Sequence, residues 1–213
     1  MKKTTFFMAM LATAGIAIVS CSNDDEKEME TGGEAKVITV AKRVLKVADD
    51  GTITPQEVLT MTEEEFQSEI AGHGWKYDDG HVVEKDGVIH TTRYLIVGNS
   101  VPNYFFSNSV ITEYTFGIPA DGPNDYFYNS IQFPYTYSPE SGIITFQSSE
   151  IGVDYPARRE ESMTLLEYDK ESQELTVLYH LIREEYNKHN YILMTYRQMT
   201  DEELEETRQK HIQ

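Results

Sequence analysis

Cysteine is almost missing from this chain: 213 residues carry one, at position 21, together with a single tryptophan and half as many basic as acidic side chains, 18 against 36. A lone cysteine excludes an intrachain disulfide and a structural zinc–thiolate cluster, so the fold must be held by apolar burial. The deficit of positive charge, −18 net, repels phosphate backbones and anionic headgroups, and nucleic acid is not an expected partner. No apolar run reaches the ~20 residues that a bilayer core demands, so no spanning helix is expected. Histidines at 73, 81, 90, 180, 189 and 211 never form His-x-His or His-Glu-x-x-His, the spacings that metal sites on strands and helices use. Neither a Gly-x-Ser-x-Gly elbow nor a phosphate-cradling glycine loop is present. Acid pairs are too common in so acidic a chain to mark a glycosidase. The expectation is a non-enzyme with no metal and no cofactor.

What is present begins with a short apolar segment, residues 6–19, behind Lys2 and Lys3 and closed by Ile18-Val19-Ser20-Cys21. That order reads as a secretory signal over residues 1–20, too short to span. The tetrapeptide resembles the lipobox of bacterial lipoproteins. The resemblance implies that the Cys21 thiol becomes a thioether with diacylglycerol and that the new amino terminus is acylated. Removing residues 1–20 leaves 16 bases against 36 acids, a net charge of −20, so attachment to membrane must come from the lipid. Each buried methylene contributes ~0.8 kcal/mol, and several chains make release negligible. Residues 21–35, polar, acidic and broken by Gly32-Gly33, read as a disordered tether that holds the following domain ~20 Å off the bilayer. Ser22-Asn23-Asp24-Asp25-Glu26 resembles the acidic export signal of Gram-negative surface lipoproteins, which implies the outer membrane and its outer face. The alternative is a merely solvated linker, with the anchor in the periplasm-facing leaflet.

The remaining residues, 36–213, suffice for one domain. Fourteen tyrosines and nine phenylalanines, with many β-branched residues, favour strands. Residues 37–40 can pair as a strand, and 44–47 can be its partner or a helix end. Thr62 and Glu65 form a capping box that starts a short helix stopped by Gly72. Beyond Trp75 the period is two. Phe127, Asn129, Ile131, Phe133, Tyr135 and Tyr137 make one largely aromatic face, and Tyr126, Tyr128, Ser130, Gln132, Pro134 and Thr136 the wetter one. Turns at 138–142 and 169–173 mark two hairpins, residues 191–199 form a last strand, and segments 88–97, 103–107 and 110–116 supply the earlier ones. The predicted fold is all-β, an antiparallel up-and-down meander of about eight strands. A closing helix is capped by Thr200 with Glu203.

Helix, glycine-flanked tryptophan, meander, arginine in the last strand and closing helix resemble, in that order, the lipocalin-like or calycin barrel. In that family a Gly-x-Trp opens the first strand, and the tryptophan lies beneath an arginine from the last. Here the stretch reads Gly72-His73-Gly74-Trp75, with His73 at the motif's glycine, and Arg197 takes the arginine's place. The resemblance implies that Arg197 stacks on the Trp75 indole, a structural contact worth ~0.5–2 kcal/mol. An open sheet or split sandwich is the other arrangement the strand pattern allows.

Two acidic stretches imitate cation sites. Asp50-Gly51-Thr52-Ile53 with Glu57 matches the second half of an EF-hand loop, but Lys46 and Ala48 fall on its first and third ligand positions, so a turn is expected. Asp121-Gly122-Pro123-Asn124-Asp125 and Asp78-Asp79-Gly80 are read as turns too. The aromatics are the functional lead. Tyr104, Phe106, Tyr114, Phe116, Phe127, Phe133, Tyr135 and Tyr137 are candidates to line a calyx for a small apolar or planar ligand, against the simpler reading that they fill the core. Outward tyrosines such as Tyr126 and Tyr128 suit sugar rings or a neighbouring surface protein, the alternative function of an accessory subunit; a hydrolase is the least favoured.

Overall fold

A computed structural model describes residues 36–40, 42–83, 89–90, 102–117, 127–149, 158–183 and 188–211. The stretches read as signal and tether, and the loop at 121–125, lie outside the described residues. The chain opens as an antiparallel sheet of three strands, β1 (Lys36–Val40), β2 (Arg43–Val47) and β3 (Ile53–Pro55), in that spatial order. Residues 44–47 are therefore a strand and not a helix end. Alternation gathers Ile38, Val40, Leu45, Val47 and Ile53 on one face, which packs against Val83, Leu166, Leu178, Tyr191 and Leu193. Between β2 and β3 the expected turn forms: Gly51 adopts φ 86°, and the Thr52 amide donates to Asp50 Oδ1 at 2.8 Å.

Helix α1 (Glu63–Glu69) carries the reciprocal cap at Thr62 and Glu65, and Gly72 follows it at φ 83°. Two hydrogen bonds from Thr62 hold the Glu65 carboxyl below its usual range. Next come β4 (Gly74–Val83), β5 (Ile89–His90), β6 (Asn103–Phe106), β7 (Val110–Gly117), β8 (Phe127–Ser138), β9 (Ile143–Ser149), β10 (Arg158–Asp169), β11 (Glu174–Arg183) and β12 (Lys188–Gln198). β4 pairs β6, each strand from β6 to β11 pairs the next antiparallel, and β12 pairs β4, closing an up-and-down barrel of eight strands, β4 and β6 to β12. Strand β5 lies on the same side of β4 as β6, opposite Val82 and Val83, while β6 lies opposite Gly74 and Trp75.

One end of the barrel is plugged. Phe66, Ile70 and Ala71 of α1 and its C-terminal turn enter the core with Trp75, Phe106 and Tyr135, and the Trp75 indole N–H donates to the Ile70 carbonyl at 3.0 Å. At this end the hairpin turns follow the sequence. Gly142 sits at φ 64° between β8 and β9, and Asp169 accepts from the amides of Glu171 and Ser172 between β10 and β11. Helix α2 (Asp201–Lys210), capped by Thr200 and Glu203, lies on the outer wall. Its Leu204 packs with Tyr114, Met199 and Phe105, and the Arg208 guanidinium covers the Phe105 ring at 4.6 Å. Among the described residues no helix is long and apolar enough to cross a membrane.

Two expectations are corrected by the alternation of the wall. Tyr196 points inward, so Arg197 points outward, where it bonds Glu203 and not the Trp75 indole. That guanidinium and the Thr200 amide lower the Glu203 carboxyl to about 2. The indole meets the Tyr168 ring edge-on at 5.9 Å instead. Asp78-Asp79-Gly80 is likewise no turn: it lies inside β4, at a register shift against β12 that leaves Asp78 unmatched between Tyr77 and Asp79. A Cβ at Gly80 would lie 2.7 Å from the Tyr77 hydroxyl, so a larger residue there makes that ring shift.

Candidate functional site

The bore has two halves of different chemistry. Next to α1 it is solid. Tyr104, Phe106, Phe133, Tyr135 and Phe146 contact one another at centroid separations of 5.7–6.4 Å, in tilted, edge-on and offset arrangements. Tyr137 stacks on Phe66 at 4.1 Å, and its hydroxyl both donates to the Met61 carbonyl and accepts from the Met61 amide. The Tyr135 hydroxyl donates to the Ser107 carbonyl. Five of the eight aromatic candidates, Tyr104, Phe106, Phe133, Tyr135 and Tyr137, thus face inward, but mainly as core filling.

Tyr114 does not join them. It alternates out of phase with inward Ile111 and lies under α2, edge-on to the His211 ring at 5.1 Å. For Phe116 and Phe127 only the backbone, in β7 and β8, is described. Tyr128 points outward, 40% exposed, as its place on the wetter face of β8 requires.

Farther from α1 the same inward positions turn polar. On β7 the residue after Ile111 on the inner face is Glu113; on β8, Ile131 and Asn129 continue the row from Phe133; on β10, Glu161 continues it from Met163. Glu161 is only 3% exposed, and the Tyr179 hydroxyl from β11 donates to its Oε2. Burying a carboxyl is tolerated only with such partners. Burial first, and then the negative charges of Glu113 and Glu161, push the Tyr104, Tyr179 and Tyr196 hydroxyls well above the usual tyrosine range. These groups therefore converge on one region of the bore. The Tyr196 hydroxyl reaches Met194 Sδ at 3.0 Å, while the Tyr104 hydroxyl, on a residue 1% exposed, and Asn129 Nδ2 have no hydrogen-bond partner among the described residues. Glu113, Asn129 and Ile131 stand at inward positions and are partly exposed, unlike the rings packed against α1.

Glu113, Glu161, Tyr179 and Tyr196 were not singled out by the sequence reading. Their trace was an acid in the inward phase of a strand, Glu161 before Met163 and Leu165, Glu113 after Ile111. Outside the barrel a cleft of about 220 Å³ lies between the small sheet and β10, lined by Lys42, Arg43, Val44, Pro55, Gln56, Glu57 and Leu166. Arg43 is engaged there by Glu167. Among the described residues no three His, Cys, Asp or Glu side chains gather as a metal site would require.

Comparison of the chain with protein-family models, with curated proteins and with solved structures returned no match.

Proposed function

We propose that this chain is an outer-membrane lipoprotein, anchored through Cys21 and displayed at the cell surface, whose lipocalin-like barrel binds a small planar or apolar ligand without transforming it. The observation that carries the binding role is the asymmetry of the bore. One end is closed by α1 and packed rings; the other half is lined by inward Glu113, Asn129, Ile131 and Glu161, the first three partly exposed. Few directional polar groups within an apolar wall is the composition that fixes a small ligand's orientation. Tyr104, Phe106 and Phe133 form the floor of such a site.

Titration with Nile red, a neutral planar dye, is expected to give saturable fluorescence enhancement at one site per chain. Ile131→Trp places an indole in the polar half of the bore; it should weaken the dye about tenfold or more while moving the melting temperature by less than ~5 °C. Unsaturable enhancement, or identical binding by the variant, would remove the bore as the site. The anchor has its own test. Cys21→Ala should leave an uncleaved precursor without incorporated palmitate, and normal labelling of that variant refutes lipidation at Cys21.

A further inference from the structure

We infer that His211, the residue that ends α2, is a proton-operated clasp: with both ring nitrogens protonated it pins the last turn of the helix to the barrel wall, and loss of one proton releases that turn. The clasp does not depend on the binding role proposed above. What decides is the pair of atoms that the ring faces. Nδ1 lies 2.6 Å from the Thr207 carbonyl oxygen, one turn back on α2, and Nε2 lies 3.0 Å from the Thr115 carbonyl oxygen on β7. A carbonyl oxygen can only accept, so each contact is a hydrogen bond only where the nitrogen carries a hydrogen. A neutral imidazole carries one. Whichever tautomer it adopts, the neutral ring sets a lone pair against an oxygen at one of the two contacts, whereas the imidazolium donates at both.

The surroundings of the ring agree. The His211 amide donates to the Arg208 carbonyl, which leaves the Thr207 carbonyl among the orphan acceptors of a helix end, where positive charge is favoured. Tyr114 on β7 and Tyr128 on β8 lie edge-on to the imidazole at 5.1 and 5.2 Å. The charged neighbours on α2 are themselves engaged, Arg208 over the Phe105 ring at 4.6 Å and Lys210 with Glu206 at 3.8 Å. Glu113, beside Tyr114 in sequence, stands on the inner side of the wall. Leu204, the buried residue of α2, lies two turns earlier, so the last turn depends on His211 for its seat. Closure takes up a proton. Raising the pH therefore favours release, which bares the outer rings of Tyr114 and Tyr128 at that end of the helix.

The test is amide hydrogen exchange of residues 206–211 in the full chain, corrected for the intrinsic effect of pH and read against α1, which contains no histidine. From about pH 5.5 to about pH 8.5 the protection of the last turn of α2, relative to α1, is expected to fall at least about tenfold. His211→Gln is neutral throughout and its amide nitrogen reaches one carbonyl at most, so that turn should be poorly protected at both ends of the range. His211→Arg keeps a charge and several N–H donors and should keep the turn protected at both ends. His73, which contacts Gln198 just before the helix, is the control: His73→Gln should retain the pH dependence of the parent chain. Protection in the parent chain that is equal at the two pH values overturns the clasp. So does a pH dependence that survives His211→Gln or vanishes in His73→Gln, and so does an arginine variant as unprotected as the glutamine one.

Discussion

Trp75→Ala should lower the stability of the domain by ~3–5 kcal/mol, the usual loss for truncating a fully buried indole, and the melting temperature by roughly 10 °C or more. Trp75 is 1% exposed and contributes in two ways. Its ring fills the closed end of the barrel against Tyr168, and its N–H bonds the carbonyl of Ile70 at the end of α1. Alanine therefore leaves a cavity under the plug and an unsatisfied carbonyl beside it. Trp75→Phe separates the two effects, since it restores most of the apolar volume and none of the hydrogen bond; a loss of ~1–2 kcal/mol is expected. Thermal unfolding followed by circular dichroism reads both variants. A melting temperature unchanged by alanine would mean that the plug does not support the wall.

Gly142→Ala is expected to destabilise by ~2–5 kcal/mol, combining left-handed backbone strain with overpacking against a group that cannot move aside. Gly142 sits at φ 64°, and a Cβ there would lie 2.3 Å from the Leu59 carbonyl oxygen. Leu59 is itself fixed. Its amide donates to the Leu165 carbonyl at 2.8 Å, and the Leu165 amide donates to Gly142 at 2.8 Å. Relief of the clash must pull the segment leading into α1 away from β10. Chemical denaturation should show a lower midpoint, and limited proteolysis should open first between residues 55 and 62. A midpoint equal to that of the parent protein would show that the Leu59 segment is not pinned.

Both predictions arise where the sequence was legible, at the closed end. The capping boxes at Thr62 and Thr200, the stop at Gly72 and the hairpin turns at 138–142 and 169–173 are set by local chemistry, so they could be read without knowing what lay opposite. The two faces of β8 were readable for the same reason, because every second residue reports the environment directly. Residues 44–47 left two readings because three apolar residues around Lys46 suit a short strand or a helix end alike. Only the outer wall of the barrel, which the small sheet covers, decides between them.

The polar half of the bore was hidden by composition. Glu113 and Glu161 differ from 34 other acids in nothing but phase, and phase is meaningful only once Ile111, Met163 and Leu165 are known to point inward. Tyr114 and Arg197 failed the opposite way, each being chemically apt for the proposed role yet one residue out of step. In a wall with period two, that single residue reverses the side.

The β4–β12 seam has a consequence in time. Every other junction joins one barrel strand to the next barrel strand along the chain, whereas this one brings Trp75 opposite Gln198. Such a distant pairing gains nothing until the intervening loop entropy has been overcome, so the ring must shut late. During synthesis the first barrel strand waits for the last, and until residue 198 arrives the growing sheet has two raw margins able to recruit a stranger's strand.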